Sequence, residues 1–291
     1  MAIKKILLPT DLSAGAPAAQ KLALSLAKLQ GAEVLFFHVV LSHENDYRPV
    51  GDFMSDFFAD LEAEAEQKLD AETSRLREQG TVARYEVVRA PSAFEAILRT
   101  TKTWKPDLIV MATHGASGMP RWFLGSVAEK VVRHAPCPVA TIRPDDAREV
   151  SVDAPERILV PIDFSDNSRR ALEMARGLIP ETGSLVLHHV VLNPTLAGLA
   201  PEAHLRLFSE EPTLPDRIRT HMDEWMGGRA FDAEVTESDD IAGAIIEMAE
   251  AKASDIIVMG TRGRTGVDYF LTGSVAEKIV RSSPIPVLAV K

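Results

Sequence analysis

The chain has 291 residues, 46% of them hydrophobic and 25% charged, which suits one large or two medium globular domains and excludes a disordered chain. A formal net charge of −10 at pH 7 supplies no basic face for a phosphate backbone, which argues against nucleic acid as a partner. The single cysteine, Cys137, has no companion for a disulfide or a thiolate metal site; between two prolines it reads as a small hydrophobe and fits a reducing cytoplasm.

In chain order, "MAIKKILLPTDLS" sets lysines before an apolar run, but the run stops at Pro9, too short for a signal-peptide core or a membrane span. It predicts a strand near residues 3–9. Ala19, Leu22, Ala23, Leu26 and Ala27 then keep a 3.6-residue period behind Ser13, a helix with that serine before its start. Further strands fit near 33–40, 82–89, 107–112 and 138–142, and Phe57, Phe58, Leu61, Ala65 and Leu69 predict a helix with one buried stripe. "SAFE" at 92–95 and "SVAE" at 126–129 have the capping-box form, a serine for one orphan amide and a glutamate three residues on that reaches back. The run from Asp107 to Met111, apolar without alternation, suits a strand covered on both faces. Short apolar runs alternating with helical patterns predict an α/β, doubly wound fold, a five-stranded mostly parallel sheet flanked by helices.

The pattern then returns. "ILLPTDLS" (6–13) answers "ILVPIDFS" (158–165), "HVVL" (38–41) answers "HVVL" (189–192), "DLIVMATHG" (107–115) answers "DIIVMGTRG" (255–263), and "PCPVATI" (136–142) answers "PIPVLAV" (284–290). A tandem follows: a first domain over 1–143, a charged, proline-flanked linker over 144–155, and a second domain over 156–291, whose second helix ends at Gly227 and Gly228.

On that scaffold "PTDLS" and "PIDFS" lie just past the first strand of each copy, and "ATHGASG" and "GTRGRTG" just past the fourth. Open parallel sheets bind ligands outside these carboxyl ends. Gly260, Gly263 and Gly266 make a loop whose amides can curl toward an anion, and Gly273-Ser274 opens a helix whose free N–H groups favour phosphate. One copy alone reads equally as a turn followed by a helix cap; two copies with one spacing and a strand-end aspartate favour the anion site.

These motifs resemble the universal stress proteins, whose ATP-binding members carry Gly-x-x-Gly, nine residues, then Gly-Ser/Thr. The second copy fits throughout, as Gly260-x-x-Gly263, nine residues, Gly273-Ser274. The resemblance implies ATP at the carboxyl edge of the sheet, any Mg²⁺ being held mainly by the phosphates. The adenine would lie near Asp163 and Val190, with Pro161, Ile162 and Met259 completing the base and ribose pocket. Gly260, Gly263, Gly273, Ser274 and Val275 would hold phosphates, beside Arg262. In the first copy the same positions are Pro9, Thr10, Asp11, Val39, Met111, Ala112, Gly115, Gly125, Ser126 and Val127. Ala112 stands where the pattern has its first glycine, so weaker binding is expected there.

His114 and Arg262 sit in the glycine loops, where a cation faces either phosphate or solvent. His188 and His189 are adjacent in a strand and point to opposite faces, so they cannot chelate one metal together; His38, the counterpart of His189, reads as a strand-end core residue. No Gly-x-x-x-x-Gly-Lys-Ser/Thr loop and no nucleophile–base pair occurs. The leading expectation is a cytoplasmic, ATP-binding regulatory module for stress response, not an enzyme, with slow or no hydrolysis. The alternatives are a dimerisation module that binds no nucleotide and, behind it, an ATP-using enzyme. The apolar fifth strands, left open, would invite aggregation, so Val139 and Val287 are expected in a shared antiparallel interface between the halves, with homodimers of whole chains also compatible.

Overall fold

The structure is a computed structural model that describes residues 2–13, 15–42, 51–113, 124–143, 155–192, 211–262 and 273–291. The chain divides into two compact units, Met1–Ala154 and Pro155–Lys291. The expected linker, 144–155, lies outside the described residues except for Pro155.

The first unit runs β1 (Lys5–Thr10), α1 (Ala16–Gln30), β2 (Glu33–Leu41), α2 (Gly51–Glu78), β3 (Ala83–Ala90), α3 (Ala93–Trp104), β4 (Leu108–Ala112), α4 (Ser126–His134) and β5 (Val139–Ile142). Its strands pair in the order β3-β2-β1-β4-β5, every pair parallel. The second unit repeats this with β6 (Arg157–Pro161), α5 (Asp166–Leu178), β7 (Ser184–Leu192), α6 (Leu214–Met226), β8 (Asp232–Ser238), α7 (Ile241–Ala251), β9 (Ile256–Gly260), α8 (Ser274–Ser282) and β10 (Val287–Val290), in the order β8-β7-β6-β9-β10. Each unit is the expected α/β fold, a five-stranded parallel sheet flanked by helices. The central strands carry unbroken apolar runs because helices cover both faces: Ile6, Leu7 and Leu8 in β1 and Ile158, Leu159 and Val160 in β6 are all buried.

One carboxylate sets how the central strands begin. Asp107 Oδ2 accepts the backbone N–H groups of Lys4 and Lys5, at 2.8 and 3.0 Å, and Asp255 Oδ2 accepts those of Glu156 and Arg157, both at 2.8 Å. Each aspartate thus ties the start of the fourth strand of its unit to the start of the first. The aspartate of "DLIVM" and "DIIVM" serves the fold.

Ser13 stands before α1 as expected, its carbonyl accepting the Ala16 N–H at 3.1 Å, and Gly15 is the N-cap. Two local expectations are corrected. Ser92 caps α3 by accepting the Glu95 N–H at 3.3 Å, but Ser126 is the first residue inside α4, whose N-cap is Gly125 with no side-chain bond. In α2 the buried stripe runs through Phe58, Ala65, Leu69, Thr73 and Leu76, whereas Phe57 and Leu61 are 47% and 37% exposed. Thr73 holds a core position because its hydroxyl donates to the Leu69 carbonyl, 2.8 Å away. Phe58, Ala65 and Leu69 keep the expected phase, while Phe57 and Leu61 fall outside the buried stripe, which only the docking of the helix decides.

Replacing Asp255 by Ala removes two charge-assisted bonds at the root of the second sheet. We expect a loss of about 1–3 kcal/mol in urea unfolding of that unit, and an unchanged midpoint would refute the role of the clamp.

Candidate functional site

The clamp closes one end of the crevice between the first and fourth strands and leaves the other end open. The ladder between β1 and β4 covers Ile6↔Leu108 and Leu7↔Ile109, while β1 runs on to Thr10 and β4 to Ala112. The second unit repeats it with Ile158↔Ile256 and Leu159↔Ile257. At these positions the strand order reverses, because the next strand lies to one side of the first and the fourth to the other; open α/β sheets form ligand crevices there.

A cavity occupies each crevice. That of the first unit, about 540 Å³, is lined by Pro9, Thr10 and Asp11 from the end of β1, Val39 from β2, Met111 and Ala112 from β4, and Gly125, Ser126 and Val127 from the start of α4. That of the second, about 280 Å³, is lined by Pro161, Ile162, Asp163, Val190, Met259, Gly260, Arg262, Gly273, Ser274 and Val275. Tertiary structure therefore brings these residues singled out in the sequence together. Gly115, Gly263, His114 and Gly266 lie outside the described residues.

The two ends of each glycine loop are held together. Gly125 N–H donates to the Thr113 carbonyl and Gly273 N–H to the Thr261 carbonyl, both at 2.8 Å, so the chain that leaves the fourth strand returns beside it to start a helix. Helices α4 and α8 receive no side-chain cap, and Ser126 and Ser274 stand at their first positions in the cavity wall. First-turn amides without caps, a hydroxyl and the helix dipole make an anion site. Gly273 has ordinary angles, φ −68 and ψ 150, and among the described residues a Cβ there would meet the Thr261 carbonyl alone, at 3.5 Å. A bare backbone at that position suits close approach by a ligand.

Gly260 has a different reason. A Cβ there would lie 2.8 Å from Asn167 Cβ and 2.9 Å from the Asn167 carbonyl carbon, against the first turn of α5. Counted from the strand-end aspartate, the first-unit position that matches Asn167 is Gly15. The glycine at 260 answers to the close approach of Asn167.

The strand-end aspartates are preset. Asp11 Oδ1 accepts the Ser13 N–H at 3.1 Å; Asp163 Oδ1 accepts the Ser165 N–H at 3.0 Å and the Ser165 hydroxyl at 2.6 Å. Between each pair stands a residue in the left-handed region, Leu12 at φ 58 and Phe164 at φ 62. Non-glycine residues held there cost about 1–3 kcal/mol, and such strain collects at functional sites. Phe164 is held in place by His189, His221 and Trp225, with ring centroids at 5.2, 5.7 and 5.3 Å.

The histidines divide as strand alternation requires. His38 Nδ1 donates to the Thr10 carbonyl at 2.8 Å, and His189 Nδ1 donates to the Ile162 carbonyl, so each ties the second strand to the first at the cavity rim. His188 is 0% exposed; its Nε2 bonds Thr236 Oγ1 at 2.8 Å. Burial pushes its pKa down to about 4 against the pull of nearby Glu234, so it is neutral at pH 7. The sequence set His188 aside as a metal ligand and did not place it in the cavity, which it lines together with Ile241 and Ile245, where the first has Phe37, Ala93 and Ile97. The available signal was the mismatch itself, a histidine where the repeat has phenylalanine.

The sign of the pH effect follows from that lowered pKa. Unfolding lets His188 bind a proton that the folded chain refuses, so its contribution is complete above pH 6.5 and is lost as pH falls toward 4. His188→Phe, which installs the first-unit residue, removes this dependence. The stability of the parent chain relative to the variant should fall by about 2–3 kcal/mol between pH 7 and about pH 4.5 in urea unfolding, and parallel pH profiles would contradict it.

Residues 2–143 and again residues 155–291 match the Universal stress protein family. A universal stress protein of Mycolicibacterium smegmatis is 26% identical over 292 residues, spanning 98% of this chain and 96% of that one. One of Methanocaldococcus jannaschii is 35% identical over 144 residues, 47% of this chain and 82% of its own length. The crystal structure of a universal stress protein from Archaeoglobus fulgidus matches with a TM-score of 0.70 at 25% identity, over 99% of this chain and 98% of that one. With the family matched once in each half, over the same strands and glycine loops that build the two cavities, the chain belongs to the universal stress protein family as a tandem member.

Proposed function

We propose that each unit binds an adenine nucleotide, ATP foremost, and that the protein acts as a cytoplasmic regulatory module of the stress response. The observation that carries this reading is one wall, built twice: a preset strand-end aspartate, an apolar second strand and an uncapped helix N-terminus around a single crevice. Such a wall fits a ligand with a flat base at one end and an anion at the other. Asp163 and Val190 would hold the nucleoside, Gly273, Ser274 and Val275 the phosphates, and Asp11, Val39, Gly125, Ser126 and Val127 the same groups in the first unit. Among the described residues no cluster of histidine, cysteine or carboxylate side chains could hold a metal ion. Any Mg²⁺ would be held mainly by the phosphates. Among the described residues no helix is long and apolar enough to cross a membrane.

Hydrolysis is proposed to be slow or absent. The cavity aspartates are engaged in turns at the nucleoside end, and amides at a helix N-terminus stabilise phosphate before and after reaction alike. A turnover in the range of about 1–1000 per second would overturn this.

Mass spectrometry of ligand released from the purified, denatured chain is expected to find adenine nucleotide; its absence, with no ATP binding by calorimetry, would favour the dimerisation module instead. Gly273→Val should weaken the second-unit site about tenfold or more, and Gly125→Val should do so in the first. Ala112→Gly should leave first-unit binding within about twofold, because packing rather than phosphate accounts for the glycine at 260. Antiparallel pairing of the halves through their fifth strands is part of the same proposal. Pro at both Ala140 and Leu288 should then separate the domains, and an unchanged compact shape in small-angle scattering would refute it.

A further inference from the structure

The second-unit cavity contains a group that the first lacks. His188 is wholly buried, lines the cavity, and has one ring nitrogen bonded to Thr236; the other, Nδ1, has no hydrogen-bond partner among the described residues. A buried polar nitrogen without a partner is costly, and a native structure that keeps one needs a reason. Its first-unit counterpart, Phe37, carries no such atom, and Phe37 lines a cavity nearly twice as large.

What reaches His188 follows from the surrounding chemistry. The uncapped start of α8 draws the anionic end of a ligand to Gly273 and Ser274, while Val190, Ile241 and Ile245 make the wall beside His188 apolar. A nucleotide can place only its flat base in such a slot, and the edge of a purine carries donors and acceptors around an otherwise apolar ring. A neutral imidazole has one donor and one acceptor nitrogen, and the Thr236 hydroxyl serves as either partner, so Nδ1 can present whichever role the base requires.

We propose that His188 is a specificity-determining residue of the second-unit site, its Nδ1 forming a hydrogen bond, direct or through one water, to the purine of the bound nucleotide. This rests on the nucleotide reading above and deepens it. The first unit, with Phe37, has no polar atom at this position; the second adds one, so the two halves of the tandem are not duplicates in what they bind.

The test uses the full chain carrying Gly125→Val, so that the second site is read alone, with ATP and inorganic tripolyphosphate as probes in calorimetry. Asparagine places its amide near the position of Nδ1, and glutamine places its amide near Nε2. A merely structural role would therefore be kept by His188→Gln, which retains the bond to Thr236. A base-recognition role would be kept by His188→Asn. We expect His188→Gln to weaken ATP binding about fivefold or more without changing tripolyphosphate binding, and His188→Asn to recover most of the loss. Equal ATP affinity for His188→Gln and the His188 chain would overturn the inference, as would an equal loss for tripolyphosphate. Should the variants fail to fold, ¹⁵N-histidine NMR of the unmutated chain decides: the Nδ1 resonance of His188 must move on saturation with ATP, and a stationary resonance refutes the contact. A chain that binds no ATP at either site refutes the nucleotide reading itself, and this inference with it.

Discussion

Asp107 and Asp255 bind the first and fourth strands of each unit together at one end, and the crevice opens at the other. Each carboxylate accepts two backbone N–H groups at the start of the first strand, and the ladder beyond it stops after two residue pairs. Because the strand order runs outward in opposite directions from these two strands, a crevice forms at their carboxyl ends. The cavities and the helix starts that line them lie at that open end. The position of the clamp explains why the sequence repeats an aspartate before the fourth strand as faithfully as it repeats the glycines after it.

The two units show how one architecture is tuned by local exchanges. In the second unit Asn167 leaves no room for a Cβ at Gly260, and its amide donates to the Arg262 carbonyl at 3.2 Å, pinning the start of the loop. Ile241 in place of Ala93 and His188 in place of Phe37 go with a cavity of about 280 Å³ rather than about 540 Å³. In both units the backbone strain at Leu12 and Phe164 is retained, next to the aspartate it helps to aim. The strand-end turn is thus shared by the two units, whereas the floor of the cavity is where they diverge. That division suits a tandem whose halves share one manner of holding an anion and differ in what they read at the other end of the ligand.

Much of this was legible in the chain itself. The period-two and period-3.6 signals, the apolar runs without alternation and the doubled motifs placed the strands, the helices and the parallel sheet. They also placed Asp11 and Asp163, Val39 and Val190, and Gly125 and Gly273 at one edge. These are consequences of local geometry: strand and helix periods, and the rule that loops after parallel strands gather on one side. Tertiary structure decided what depends on docking. Phe58 rather than Phe57 faces the sheet because the whole of α2 settles on one phase of its stripe. Ser126 and Ser274 stand inside their helices because Gly125 and Gly273 are drawn back to Thr113 and Thr261. Gly260 lacks a side chain because a Cβ there would lie 2.8 Å from Asn167 Cβ on a helix from elsewhere in the chain, and the cavity role of His188 became noticeable once its second nitrogen had no partner among the described residues. A sequence records which residues can make a contact, but distances between segments about a hundred residues apart are set by packing, and there the purpose of a glycine or a buried histidine is decided.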